Sequence, residues 1–365
     1  MADGQARLRG PVRIVGAGLL GASLGLALRA RNIDVILADA SPATLALAID
    51  YGAGRRAEPG DTPELIVVCV PPDVTAVTVA AELANYPEAL VTDVASVKLA
   101  PLAELRALGA DLTRYIGSHP MAGRERGGAV AARADLFDGR PWVIAGHDMI
   151  SYRRAAPLEN LVLDLGAIPI EMDAAEHDAS VALVSHVPQV VASLLAARLV
   201  GASDSAVALA GQGLRDTTRI ASSAPELWVQ ILSANSASVV AILEQYRNDL
   251  DGLIDALANP TATGARRTIA QTIAGGNAGV TRIPGKHGQA GHFSQLVIKV
   301  NDTPGELARL LTEIGAAGVN MEDLRLEHSP GAQFGLAEIS VLPEAESVLA
   351  TELAAGGWEI VGATA

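Results

Sequence analysis

The chain has 365 residues, 50% of them apolar, with a mean hydropathy of +0.29, which points to two or three domains of roughly 100–200 residues each with sizeable cores and excludes a disordered chain. Lys and Arg number 27 against 41 Asp and Glu, a net charge of −14, and aromatic residues make up only 3%. Such a chain lacks the basic face that nucleic acid or an anionic membrane surface requires, and the aromatic platform on which bases stack, so small molecules are the expected partners.

A single cysteine, Cys69, excludes an internal disulfide and fits a reducing compartment. Met1–Gly10 carries no apolar signal stretch, and no uninterrupted apolar run of about 18 residues occurs. A cytoplasmic protein is expected, with neither a membrane nor a nucleic acid as partner.

From Val12 to Asp173, short β-branched runs alternate with helical stretches, the pattern of a parallel sheet covered by helices on both faces. The expected strands are Val12–Val15, Val35–Ala38, Leu65–Val70, Ala89–Thr92, Arg114–Gly117, Trp142–Ala145 and Ala167–Glu171. Ser41-Pro42 is a helix start with Ser at the N-cap and Pro at the first helical position, and Pro71-Pro72 ends the third strand. Beyond Asp173 the strand pattern stops. About a hundred residues follow with helical periodicity, beginning with Val184, Val187, Val191, Leu194 and Leu195 at spacings of three and four and continuing through 225–232 and 236–257. An all-helical domain that packs against a second copy, giving a homodimer, fits this stretch.

Residues 264–292 contain Arg266, Arg267, Arg282 and Lys286, no acidic residue, and six glycines between Gly275 and Gly291, which suits a linker that meets something anionic. The stretch Ser294–Ala365 carries three basic and eleven acidic residues and reads strand, helix, strand, strand, helix, strand, a split βαβ arrangement. The expected domains are 11–173 (α/β), 174–275 (all-helical), 276–293 (basic Gly-rich linker) and 294–365 (small α+β, βαββαβ).

Gly16-Ala17-Gly18-Leu19-Leu20-Gly21 is a G-x-G-x-x-G placed where the first strand meets a helix, and Asp39 closes the second strand eighteen residues later. The glycines allow a tight turn, close approach of a pyrophosphate and close helix packing, while the carboxylate can accept hydrogen bonds from a ribose. Asp39 would repel a 2′-phosphate and no Lys or Arg lies between Asn32 and Gly54, so NAD is the expected cofactor. The expected cofactor contacts are Gly16, Gly18, Leu19, Leu20, Gly21, Asp39, Val70, Pro71 and Asp93.

Two clusters follow strands of the same region, Thr92–Lys98 and Ile116–Glu125, at the sheet end where open α/β folds bind ligands. His119, on an expected loop between Ser118 and Pro120, suits a general base, although a loop histidine also serves structural hydrogen bonding. In Gly213–Ala221, Arg215 and Arg219 stand four apart with Asp216 between them, which matches either a dianionic substrate or a solvated charge stripe. Trp228, nine residues on, suits a pocket wall or a core. No metal-ligand spacing occurs.

The combination of Gly16–Gly21, Asp93–Lys98, Gly117–Gly123, Ser185-His186-Val187-Pro188 and Gly213–Ala221 resembles the prephenate/arogenate dehydrogenase family of tyrosine biosynthesis, over residues 11 to 285. Asn301–Leu307 in the terminal segment looks like an ACT domain. The resemblance implies a Rossmann-type NAD domain and oxidative decarboxylation of prephenate to 4-hydroxyphenylpyruvate and CO2. It implies that His119 takes the C4 hydroxyl proton, that Ser96 hydrogen-bonds the reacting region and that Arg219 pairs with a substrate carboxylate. Arg215, Asp216, Glu125, Ser185, Gln189 and Trp228 fall on positions around the pocket. Many prephenate-specific relatives carry a histidine where this chain has Gln189, so the alternative is an arogenate or dual-specificity cyclohexadienyl dehydrogenase. Ser185 and Gln189 share a helix face from which His186 points about 100° away.

In the terminal module, Asp302, Thr303, Pro304 and Gly305 open a helix after a strand, where free N–H groups could receive the carboxylate of an aromatic amino acid. A purely dimer-stabilising role is the alternative. Two other classes are weighed. A non-catalytic NAD and amino-acid sensor would not require His119, Ser96 and Arg219 together. A β-hydroxyacid dehydrogenase would be expected to carry a lysine base in its helical domain, yet no Lys occurs between Lys98 and Lys286.

Overall fold

Local sequence sets the first half of the architecture. In the computed structural model, which describes residues 6–123, 127–283, 293–328 and 333–364, the strands are β1 Val12–Val15, β2 Val35–Ala38, β3 Arg55–Arg56, β4 Leu65–Val68, β5 Leu90–Asp93, β6 Tyr115–Pro120, β7 Pro141–Gly146 and β8 Ile168–Asp173. They form one sheet in the order β3-β2-β1-β4-β5-β6-β7-β8. The helices α1 Leu19–Arg29, α2 Pro42–Asp50, α3 Pro72–Asn85, α4 Leu99–Ala107 and α5 Tyr152–Asp164 cover its two faces.

The β4 sequence Leu-Ile-Val-Val is apolar throughout because both of its faces are buried. Leu65 and Val67 enter one cluster with Leu24, Leu28, Leu158 and Leu161, while Ile66 and Val68 enter the other with Val79, Leu83, Leu102 and Leu105. Ser41 caps α2 as expected, its hydroxyl accepting from the Thr44 N–H at 3.3 Å with Pro42 in the first turn. Because β1 lies between β2 and β4, the strand order reverses there, and the crevice beyond their carboxyl ends is where such sheets receive a ligand.

The sheet departs from the expected all-parallel form in one place: β7 runs antiparallel to β6, with Gly117 opposite Ala145 and Pro120 opposite Trp142. A parallel return needs a crossover, usually a helix. Among the described residues, the β6–β7 connection holds only a 3₁₀ turn at Ala129–Ala131 and re-enters the sheet at the end it left. The short β3 was not expected. His119 lies inside β6, not on a loop as expected, because β6 continues three residues beyond the predicted Gly117 to pair with β7.

The helical stretch comprises α6 Ala174–Val181, α7 Val187–Ala197, α8 Asp204–Val207, α9 Gln212–Thr218, α10 Pro225–Ala234, α11 Ser236–Ala258 and α12 Ala265–Val280. Residues Ala182–His186, between α6 and α7, form a π turn. Its wider winding breaks the expected single apolar face: Val187 is buried, whereas Val184, Leu194 and Leu195 are exposed. The chain's described residues divide into two compact units, Met1–Gly201 with Thr218–Tyr246 and Ala202–Thr217 with Arg247–Ala365. Residues 276–280, expected in the linker, are the last turns of α12; Lys286 and the rest of 284–292 lie outside the described residues.

The second unit contains β9 Ser294–Asn301, α13 Glu306–Ala316, β10 Met321–His328, β11 Phe334–Val341, α14 Pro343–Ala355 and β12 Glu359–Thr364. The four strands form an antiparallel sheet in the order β10-β11-β9-β12, the expected βαββαβ module. Alternate β9 residues Leu296, Ile298 and Val300 are buried in one core with Leu310 and Ile314 of α13 and Leu349 and Leu353 of α14.

Candidate active site

The turn from β1 into α1 has the shape that its glycines dictate. Gly16 has φ +100°, and a Cβ there would lie 2.4 Å from the Cys69 carbonyl oxygen. A Cβ on Gly21 would lie 1.9 Å from the Gly16 carbonyl oxygen, so the helix and the loop touch through it. Gly18 is different: a Cβ there would meet nothing within 4 Å. It is the N-cap of α1 and offers no side-chain cap, which leaves room and free N–H groups at the helix start, beside Leu19 and Leu20. Asp39, at the end of β2, accepts from the Ala17 N–H at 2.7 Å and the Ser41 N–H at 2.8 Å and so braces the same loop. Val70 and Pro71 follow β4 on the other side of the switch point. These residues fit a dinucleotide: an open concavity under a helix N-terminus at Gly18, braced by Gly16 and Gly21, neither of which has room for a side chain.

Asp93 does not join them. Its side chain is fully buried, with one oxygen paired to Lys98 Nζ and receiving the Ala95 N–H at 2.9 Å, and the other receiving the Tyr115 hydroxyl at 2.7 Å. It is a brace beneath the site, not a cofactor contact, because its polar atoms are all turned inward. Gly117 makes this possible: a Cβ there would stand 3.0 Å from Lys98 Cδ. Lys98 Nζ also donates to the Ser118 carbonyl at 2.7 Å, and burial lowers its pKa.

His119 lies at the carboxyl end of β6, on the rim shared by the parallel strands β1, β4, β5 and β6, and is half-buried. Its Nδ1 is 2.9 Å from Nε2 of His177, whose Nδ1 is 2.7 Å from Asp178 Oδ1. Asp178 in turn accepts the N–H of Lys98 at 2.8 Å and of Leu99 at 3.0 Å, and its carbonyl accepts from Asn235 Nδ2 at 2.7 Å. Burial, then the neighbouring His177, Lys98 and His186, hold the His119 pKa well below its ordinary value. The ring is therefore neutral at neutral pH. Ser96 sits half-buried in the loop between β5 and α4.

Sequence reasoning missed His177 and Asp178. The only local signal was a His-Asp pair on the first helix after the sheet, which no motif marks.

The remaining expected residues divide. Ser185 is half-buried on the π turn, and Gln189 is buried, donating to Ser193 Oγ at 3.3 Å and accepting from Ser223 Oγ at 3.4 Å. His186 is turned inward, its Nδ1 3.2 Å from Asn235 Nδ2 and its ring edge-on to Trp228, with centroids 6.0 Å apart. Arg215 and Arg219 do not share one α-helix as expected: α9 ends at Thr218 and Arg219 opens a 3₁₀ turn, Arg219–Ala221. Both are exposed, and Asp216 accepts from Gln212 at 2.8 Å. Glu125 lies outside the described residues.

A glycine cradle at the strand switch point and a half-buried imidazole on the same rim are the features of an NAD-dependent dehydrogenase. The chain belongs to the prephenate dehydrogenase family: residues 24–170 match the family's nucleotide-binding domain and residues 173–271 its dimerization domain. It is 36% identical to the probable prephenate dehydrogenase NovF of Streptomyces niveus over 94% of this chain and 98% of that one. It is 25% identical to the prephenate dehydrogenase of Bacillus subtilis over 92% of each chain. Among solved structures, Synechocystis arogenate dehydrogenase aligns with a TM-score of 0.61 and 30% identity, covering 73% of this chain and 99% of that one.

Residues Ala174–Ala197 are long and apolar enough to cross a membrane by length and composition. They nevertheless bury His177, Asp178, His186 and Gln189 and lie within the dimerization-domain match.

Proposed function

We propose that this protein, as a homodimer in the cytoplasm, oxidises prephenate with NAD, releasing CO2 and 4-hydroxyphenylpyruvate. The observation that carries the reading is His119, hydrogen-bonded to His177 at 2.9 Å on the rim that also bears the glycine cradle, where burial lowers its pKa. Gly16, Gly18, Leu19, Leu20, Gly21, Asp39, Val70 and Pro71 hold the cofactor, whose nicotinamide supplies the hydride acceptor. His119 takes the C4 hydroxyl proton at Nε2 as the ring carbon gives up its hydride, and Ser96 orients that hydroxyl. Departure of CO2 is driven by aromatisation; its electron pair passes through the ring to the C4 oxygen, which takes back the proton held at His119 Nε2 to give the phenol of the product.

Arg219 pairs with a substrate carboxylate, and Ser185, Gln189 and Trp228 complete the surroundings; for Arg215, Asp216 and Glu125 the support is the family's sequence pattern alone. An exposed arginine suits this role, since its charge stays solvated until a dianion arrives.

Gln189 gives a specific reason for a second reading in which arogenate is also accepted. A neutral amide tolerates the ammonium of arogenate, which a cationic imidazole would repel. The terminal module binds an aromatic amino acid at Asp302, Thr303, Pro304 and Gly305; all four are exposed, but α13 begins only after them, with Gly305 at φ +95° as its N-cap, and the Asp302 and Thr303 N–H groups, expected to be free, donate to the Gln333 and Asn301 carbonyls at 2.9 and 2.8 Å. Arg266 and Arg267 lie in the first turn of α12, the helix that precedes this acidic module.

Steady-state rates with prephenate and arogenate, each with NAD and NADP, test the whole reading. The expected result is turnover of prephenate with NAD and little with NADP. No turnover of either substrate with either cofactor overturns it.

A further inference from the structure

The contacts beneath His119 have a direction. Asp178 receives two backbone N–H groups, from Lys98 and Leu99, and stands 2.7 Å from His177 Nδ1. A carboxylate offers only acceptors, so His177 Nδ1 must carry the hydrogen in that contact. His177 Nε2 and His119 Nδ1 stand 2.9 Å apart and share one hydrogen, which lies on His119 Nδ1 when the single ring hydrogen of His177 is the one held by Asp178. His119 is left with its hydrogen on Nδ1 and a lone pair on Nε2. His177 and Asp178 are both almost fully buried, so water does not compete for these contacts.

From this geometry we infer that His177 and Asp178 are positioning residues that set the tautomer of His119, leaving Nε2 as the basic nitrogen. The inference rests on His119 being the base. In the reaction, the proton of the substrate hydroxyl moves to His119 Nε2 and breaks its bond to oxygen. Both His119 nitrogens are then protonated, and the Nδ1–H donates a charge-assisted bond into His177 and, through it, toward Asp178. Asp178 is fixed from three elements at once, since α4 begins on its carboxylate, α6 carries it and Asn235, between α10 and α11, holds its carbonyl.

The test uses the full chain labelled with ¹⁵N-histidine, with the His119 resonances assigned by their loss in His119→Asn. In the wild type, the ¹⁵N shifts at pH 7.5 should show a neutral ring with hydrogen on Nδ1. An Nε2–H ring overturns the inference without any further variant. Asp178→Asn and His177→Phe should lower kcat by between roughly 10-fold and 10⁴-fold, the span from an outer-shell partner of a histidine to the carboxylate of a hydrolytic triad. KM for the substrate and Kd for NAD should stay within about twofold, since neither side chain reaches a ligand. His177→Gln, whose amide oxygen can accept from Nδ1, should recover part of the kcat lost in His177→Phe. Wild-type kcat in Asp178→Asn and His177→Phe, alongside an inactive His119→Asn, overturns the positioning role alone. Wild-type kcat in His119→Asn overturns the reading of His119 as the base.

Discussion

At the scale of the residue, the site turns on keeping one imidazole neutral. Burial first, and then the nearby His177, Lys98 and His186, disfavour the charged form of His119, so its pKa lies well below 6.5. The acid limb of kcat/KM is therefore expected below pH 6.5, and a limb at or above that value contradicts the assignment. The same shift bears on stability. Below pH 6.5 the unfolded ring binds a proton that the folded ring refuses, so stability is full above that pH and declines beneath it. Burial lowers His147 and His186 in the same direction, so Tm should fall between pH 7 and pH 5.5, and His119→Asn should flatten the decline. That variant should also reduce kcat by roughly 10²–10⁴-fold while Kd for NAD is unchanged, the range for loss of a positioned base.

Elements impose the next level of constraint, and the β1–α1 turn separates fold from function within six residues. Gly21→Ala forces a methyl against the Gly16 carbonyl, so a loss of stability of about 2 kcal/mol or more is expected, together with weaker NAD binding. Gly18→Ala meets no protein atom within 4 Å, so Tm should hold while Kd for NAD rises about 10-fold or more, a methyl now filling the space left for the pyrophosphate. Calorimetry and NAD titration of the two variants check the contrast; equal Tm losses would contradict it. The 3₁₀ turn Arg219–Ala221 supports a second expectation. Removing a guanidinium from a carboxylate that is desolvated on binding costs about 2–5 kcal/mol, so Arg219→Ala should raise KM for prephenate about 30-fold or more.

For the whole molecule, the apolar residues left in solvent indicate what the single chain lacks. Leu194 is 58% exposed, Leu209 85% and Val200 90%, all within the dimerization-domain match, where a second copy would cover them. The terminal module has a closed core of its own and an acidic surface, which suits an appended sensor. Millimolar tyrosine is expected to inhibit the full chain and to leave a chain ending at His292 unaffected. Indifference of both forms to tyrosine, phenylalanine and tryptophan removes the effector from the proposal.

What the sequence alone determined about this protein is whatever neighbouring residues decide among themselves. The glycine turn from β1 to α1, the Ser41 cap, the apolar strands β1, β2 and β4 and the βαββαβ order of the terminal module are all settled by turn chemistry and periodicity over a few residues. What tertiary structure decided are the contacts that join distant positions. The antiparallel β7 depended on which end of the sheet the connection re-entered, and it carried His119 from an expected loop into a strand. The π turn at Ala182–His186 rotated the later helix face, which a 3.6-residue period cannot foresee. Lys98 meets Ser118 across 20 positions, His119 meets His177 across 58, and Asp178 meets the Lys98 N–H across 80. No local pattern encodes such pairs, because the order of strands in the sheet and the packing of α6 against its rim bring them together, and that is why His119 was legible in the sequence as a candidate base and the contacts of His177 and Asp178 beneath it were not.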